Sequence, residues 1–139
     1  MTARIVLDAA AFDVLDQPAG TELRALVERS AGRGTDTFCA AVTLTEVCRG
    51  TARTRRVEAS LVRARGGHRI RVVPIDERLA KLVGAILNDT KRGSEHIADA
   101  HVVAVCAGAE QAIVITADPD DIAALAVAMP GVRIVTRKP

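Results

Sequence analysis

Four carboxylates in this 139-residue chain stand where a folded α/β protein would bring them together. Asp8 ends an apolar run, residues 4–7, that reads as a β-strand. Glu46 comes shortly after a second such run at 37–42, and Asp118 shortly after another at 112–115. Asp99 lies in the first turns of a strongly apolar segment expected to be helical from Ser94 to about 107. In an open α/β sheet, ligands collect outside the carboxyl ends of the strands, and a helix returning to the sheet begins at that same edge. On a helix, the residues three, four and seven positions beyond Asp99 are Val102, Val103 and Cys106, so the carboxylate lies on an apolar face. An unpaired buried carboxylate is costly and needs a partner or a proton. Two carboxylates ~4 Å apart repel by roughly 4 kcal/mol at an effective dielectric near 20, so a cluster takes up protons or binds a cation. Oxygen-only donors suit a hard cation such as Mg²⁺ or Mn²⁺. Water held by such an ion is a nucleophile for phosphodiester cleavage.

Each acid also fits a local structural role. Thr43-Leu44-Thr45-Glu46 has the spacing of a capping box, with Thr43 opening a helix. Asp118-Pro119 fits a helix N-cap followed by proline at the first helical position. Asp8 can cap the helix that follows it.

The elements that must position these groups alternate along the chain. Helices are expected at 9–16, 21–30, from Thr43 to a break at Gly50, at 54–65 up to Gly66-Gly67, and at 76–88, 94–107 and 119–128. Further strands are expected at 69–74 and 132–135. Strands alternating with helices imply a parallel sheet covered on both faces, and the continuous run Ile113-Val114-Ile115 suits a strand buried on both sides. At this length the chain is one domain, residues 1–139.

Composition narrows the class. Hydrophobic residues make up 49% and charged residues 26%, which excludes a disordered chain. No apolar run reaches the ~20 residues of a membrane span. The opening residues lack a signal-peptide layout, so a cytoplasmic protein is expected. Cys39, Cys48 and Cys106 have neither metal-like nor disulfide-framework spacing and are expected to be reduced and buried. Only Phe12 and Phe38 are aromatic, which disfavours recognition of single-stranded bases by stacking platforms. The net charge of +2 is mild but unevenly spread. Between Arg49 and Arg71 lie eight arginines and a single acid, Glu58. Arg49, Arg53 and Arg56 share helical spacing if a helix survives Gly50, and they could grip phosphates leading to the acids, or they could form a solvated face. His68, His96 and His101 show no metal-like spacing, and His101 is expected to be structural or at the surface. Gly32-Arg33-Gly34 lacks the rest of a phosphate-binding fingerprint.

Four segments carry a resemblance: Ile5-Val6-Leu7-Asp8-Ala9-Ala10-Ala11, Val42-Thr43-Leu44-Thr45-Glu46-Val47-Cys48-Arg49-Gly50, Ile97-Ala98-Asp99-Ala100-His101-Val102-Val103-Ala104 and Val114-Ile115-Thr116-Ala117-Asp118-Pro119-Asp120-Asp121. In order and spacing they resemble the PIN domain, and in particular the small VapC-type toxins of bacterial toxin–antitoxin pairs. The resemblance implies a five-stranded parallel sheet of order 3-2-1-4-5 and a metal-dependent endoribonuclease. Asp8, Glu46 and Asp99 match the three core acids and Asp118 the more variable fourth. Together they hold one or two Mg²⁺ or Mn²⁺ ions in such proteins. Thr116 matches a hydroxyl residue that orients a ligand or water. Asp120 or Asp121 could stand in for Asp118, with Asp121 also a supporting acid, and Glu95 could be an additional acid one turn before Asp99. Ala10 departs from the pattern, because many members carry Ser or Thr there.

The implied partners are a cognate VapB-type antitoxin, an RNA substrate (tRNA, rRNA or mRNA) and a second copy of the chain. The resemblance also implies a heterotetramer or larger assembly with the antitoxin. Arg49, Arg53 and Arg56 are the RNA-binding candidates. The alternative is a degenerate PIN domain that binds RNA or protein without cleaving. A receiver-like signalling domain fits poorly, since Asp8 is followed by three alanines rather than a second acid.

Overall fold

In the computed structural model, which describes residues 2–62 and 70–139, strands and helices alternate. The order is β1 (Ala3–Leu7), α1 (Ala9–Val14), α2 (Thr21–Gly32), β2 (Asp36–Ala40), α3 (Ala41–Val47), α4 (Thr51–Leu61), β3 (Ile70–Val73), α5 (Glu77–Asp89), α6 (Ile97–Val105), β4 (Gln111–Ile115), α7 (Pro119–Ala126) and β5 (Arg133–Arg137). Short 3₁₀ turns at Pro18–Gly20 and Ser94–His96 lead into α2 and α6. All strand pairings are parallel, and the sheet order is β3-β2-β1-β4-β5. The register sets Leu7 beside Ile115, so β1 and β4 end together at the centre of the sheet.

Alternation along the central strands divides the apolar residues between two cores. Val6, Ala40, Ala112 and Val114 face the layer built by α5, α6 and α7. Ile5, Leu7, Cys39 and Ile115 face α1, α2 and the helices after β2. Helix α6 is buried from Ala100 through Val105, which explains its unbroken apolar sequence. Arg4 ties its far end to the sheet: the guanidinium lies 4.6 Å from the centre of the Phe38 ring, and Nη1 donates to the Val105 carbonyl at 2.8 Å. All three cysteines are free, and burial pushes the Cys39 and Cys106 thiols up to about 12.

Several boundaries differ from the sequence-based expectation. The second strand ends at Ala40 rather than 42, and α3 begins at Ala41 rather than Thr43. Thr43 therefore lies inside the helix with its hydroxyl buried, and the capping box with Glu46 does not form. Nothing in the run Cys39-Ala40-Ala41-Val42 marks the switch; the turn of the chain over the sheet edge decides it. Ser94 begins a 3₁₀ turn, and the α-helix itself starts at Ile97. The first helix stops at Val14, two residues early. Gly50, at φ +89, separates α3 from α4 in a conformation that glycine adopts freely. The basic helix accordingly starts at Thr51 and ends at Leu61, and the expected continuation to 65 lies partly outside the described residues. No helix among the described residues is long and apolar enough to cross a membrane.

Candidate functional site

The carboxyl ends of β1 and β4 form the floor of the site. Asp8 follows Leu7 directly, and its N–H donates to the Ile115 carbonyl at 2.9 Å, one residue beyond the paired strands. The side chain is 7% exposed and held at both oxygens: Oδ1 accepts from the Ala9 N–H at 2.8 Å, and Oδ2 from the Thr116 hydroxyl at 2.8 Å. Thr116 is fully buried and works in both directions, because its oxygen also accepts from the Asp118 N–H at 3.0 Å. One hydroxyl thus fixes the rotamer of Asp8 and the path of the loop carrying Asp118. Asp118 is at the N-cap position of α7 with proline next, yet its side chain makes no cap bond and stays exposed.

Asp99 arrives from the first turn of α6, half-buried, with Val102, Val103 and Cys106 on the same helix fully buried. Burial first, then the charges of Asp8, Asp121 and Asp118, push its carboxyl above the ordinary aspartate range, and His96 pulls it back. Glu46, in the last turn of α3, is also raised, by partial desolvation and then by Asp8 and Asp99, against the opposing charge of Arg49. Glu46 is largely exposed, so solvent screens its share of the repulsion. At one edge of the sheet, Asp99 thus feels the charges of Asp8, Asp118 and Asp121, and Glu46 those of Asp8 and Asp99. Asp120 is exposed in the first turn of α7 and is not among the charges acting on Asp99.

Other expected residues fall elsewhere. The Glu95 carboxylate turns toward His96, at 3.8 Å, and lies against Gly93 rather than Asp99. Arg49 lies in the link before Gly50, donates from Nε to the Thr45 carbonyl at 2.7 Å, and is the arginine whose charge reaches Glu46. It does not share a helix with Arg53 and Arg56, because Gly50 breaks the chain between them. Arg53 pairs with Asp13, and Arg56 with Asp16. His101 is buried rather than at the surface, with Nδ1 against the Ile97 carbonyl at 2.7 Å and Nε2 without a hydrogen-bond partner among the described residues. Sequence reasoning missed His96, although its place one helical turn before Asp99 was the available signal.

The donor chemistry fits a divalent cation. Crowded carboxylates with raised proton affinity are the groups a hard cation stabilises, and Asp8 is held rigidly enough to serve as a fixed donor. Among the described residues, no three His, Cys, Asp or Glu side chains already stand in a metal-holding arrangement.

A parallel 3-2-1-4-5 sheet with acids gathered over β1 and β4 places the molecule among α/β proteins with a switch-point site. The chain belongs to the PIN-domain family, whose model matches residues 5–128. Among solved structures, it is similar to a chain of FitAB bound to a DNA fragment, with a TM-score of 0.59 and 18% identity over 95% of this chain and 94% of that one. It is also similar to a chain of VapBC-1 from nontypeable Haemophilus influenzae, with a TM-score of 0.55 and 12% identity over 96% of this chain and 97% of that one. A comparison with curated proteins gave no match.

Proposed function

We propose that this protein is a metal-dependent endoribonuclease, the toxin of a VapBC-type toxin–antitoxin pair, acting in the cytoplasm. The observation that carries the reading is a PIN fold in which Asp8 follows β1, Asp118 follows β4 and Asp99 lies in the first turn of α6, so that carboxylates collect at one edge of the sheet. Likeness in fold to chains of FitAB and VapBC-1 supports an antitoxin partner. A homodimer, and a larger assembly with the antitoxin, follow from the same resemblance.

Asp8, Glu46, Asp99 and Asp118 would hold one or two Mg²⁺ or Mn²⁺ ions, with Asp121 in support. A bound ion supplies Lewis acidity, lowering the pKa of water and stabilising charge on the phosphodiester. The chain itself supplies position. Thr116 and the Ala9 N–H lock Asp8, α6 presents Asp99 from an apolar wall, and α3 delivers Glu46. Arg49, whose charge opposes that of Glu46, would meet a substrate phosphate.

The reading is tested by incubating the purified protein with tRNA, rRNA and mRNA fragments. Cleavage is expected with Mg²⁺ or Mn²⁺, is lost in EDTA, and returns when the metal is restored. Cleavage that survives EDTA sinks the mechanism, and inert protein on all substrates leaves the non-cleaving binding module.

Thr116 gives a finer check. Thr116→Val keeps the shape of the side chain but strands the Asp8 carboxylate oxygen and the Asp118 N–H. Titration calorimetry with Mn²⁺ should show affinity weakened by about 10–100-fold, with Thr116→Ser close to wild type. Equal Mn²⁺ affinity for the Thr116→Val variant and the wild type would remove Thr116 from the site.

A further inference from the structure

Helix α4 is held to the domain by buried Val57, by Leu61 packed against the same core and by charge. Of its residues only Val57 is buried, and it follows the backbone break at Gly50. Two of its three arginines, Arg53 and Arg56, reach α1 and the turn after it, where Asp13 and Asp16 receive them. The second pair is two-pronged, with Arg56 Nε to Asp16 Oδ2 at 2.8 Å and Nη2 to Oδ1 at 3.0 Å. The Arg56 guanidinium holds the Asp16 carboxyl below its ordinary range. Both pairs are open to water, with side-chain exposures of 44% and 53% for Arg53 and Asp13, and 52% and 30% for Arg56 and Asp16. Beneath them lies a cavity of about 120 Å³, lined by Phe12, Asp13, Arg53, Arg56 and Val57.

The same helix α1 begins at Asp8, and Asp13 lies roughly 8 Å further along it at 1.5 Å per residue. Asp13, and with it Arg53, is thus carried on the helix that leaves the acidic edge. A carboxylate and a phosphodiester offer a guanidinium the same two-oxygen fork. Exposed ion pairs are weak and readily exchanged.

Resting on the ribonuclease reading, we infer that Asp13 and Asp16 act as built-in phosphate mimics: they occupy Arg53 and Arg56 in the free protein and yield them to the RNA backbone when substrate binds. The two acids then weaken RNA binding, while the two arginines strengthen it. Neutralising the acids should tighten binding only while the arginines are present.

The test is a double-mutant cycle read by fluorescence anisotropy, with a labelled single-stranded RNA of about 20 nucleotides in EDTA. Asp13→Asn/Asp16→Asn should bind about four- to twenty-fivefold more tightly than wild type, at roughly two- to fivefold per released arginine. Arg53→Ala/Arg56→Ala should bind more weakly, and adding the two Asn substitutions to it should restore nothing. Asp89→Asn/Glu110→Gln, which removes the same charge from exposed positions outside this face, sets the background gain. The inference is overturned if the Asn pair gains no more than that background, if its gain persists without the arginines, or if no variant binds RNA. Cleavage in Mg²⁺ is scored separately. Coupling without cleavage would keep the exchange and discard the nuclease, and cleavage without coupling would do the reverse.

Discussion

Asp99→Asn should cost RNA cleavage on the order of 10³-fold or more while making the metal-free protein more stable. The loss follows from removing a charged donor at the centre of the carboxylate set, where about 4 kcal/mol of transition-state stabilisation corresponds to roughly 10³ in rate. The gain follows from the state of that carboxyl in the folded chain. Burial, and then Asp8, Asp121 and Asp118, raise its proton affinity, so folding favours the neutral form. A carboxyl whose folded pKa is raised contributes stability that is fully present below the unfolded pKa and disappears as pH rises through the folded pKa. At neutral pH Asp99 is therefore a net burden on the metal-free fold, and an isosteric amide removes it.

Thermal unfolding in EDTA should place the Asp99→Asn variant a few degrees above wild type at about pH 7.5, with the gap closing toward about pH 4. Mg²⁺ or Mn²⁺ should reverse the order, because an ion that binds only the folded wild type adds stability in proportion to its saturation. A variant that cleaves at near wild-type rate would remove Asp99 from the chemistry. A variant less stable than wild type in EDTA would mean that Asp99 is held by a partner rather than repelled by its neighbours.

The gathering of the acids was readable because it depends on strand ends, and strand ends are marked by the residues themselves. Ile113-Val114-Ile115 suits a strand in the middle of a sheet, and Asp8 closes the run before it as sharply as a turn would. Asp99 stood out as a charge among Val102, Val103 and Cys106, which are all buried. The start of α3 was not readable, because Ala41 and Val42 suit a strand and a helix equally and tertiary packing chose between them. The arginine partners were not readable either. Arg53 and Arg56 lie 40 residues from Asp13 and Asp16, so nothing local distinguishes a free basic face from a paired one. Short-range pattern locates the acids; only the folded path shows which cations have already been claimed.

Gly20→Ala should destabilise the domain by about 3–5 kcal/mol, lowering Tm by about 10–15 °C. The cause is contact, not backbone conformation: Gly20 has φ −89 and ψ 7, which any residue can adopt. A Cβ there would stand 2.0 Å from the Val14 carbonyl oxygen, 2.7 Å from its carbon and 3.0 Å from the Leu15 Cα. All three are backbone atoms, so no side chain can swing aside, and α2 would have to lift from the end of α1. That movement pulls Arg24 from the Leu15 and Gln17 carbonyls, both at 2.7 Å, and loosens buried Leu23 and Val27. It also reaches the site, because α1 is only six residues long and begins at Asp8. Gly84→Ala, in α5 with nothing near its added methyl, should instead stabilise by about 0.5–1 kcal/mol in the same chemical denaturation series. A Gly20→Ala variant within about 1 kcal/mol of wild type would show that α1 and α2 can separate cheaply. The fixed position of Asp8 would then have to come from Thr116 and the sheet alone.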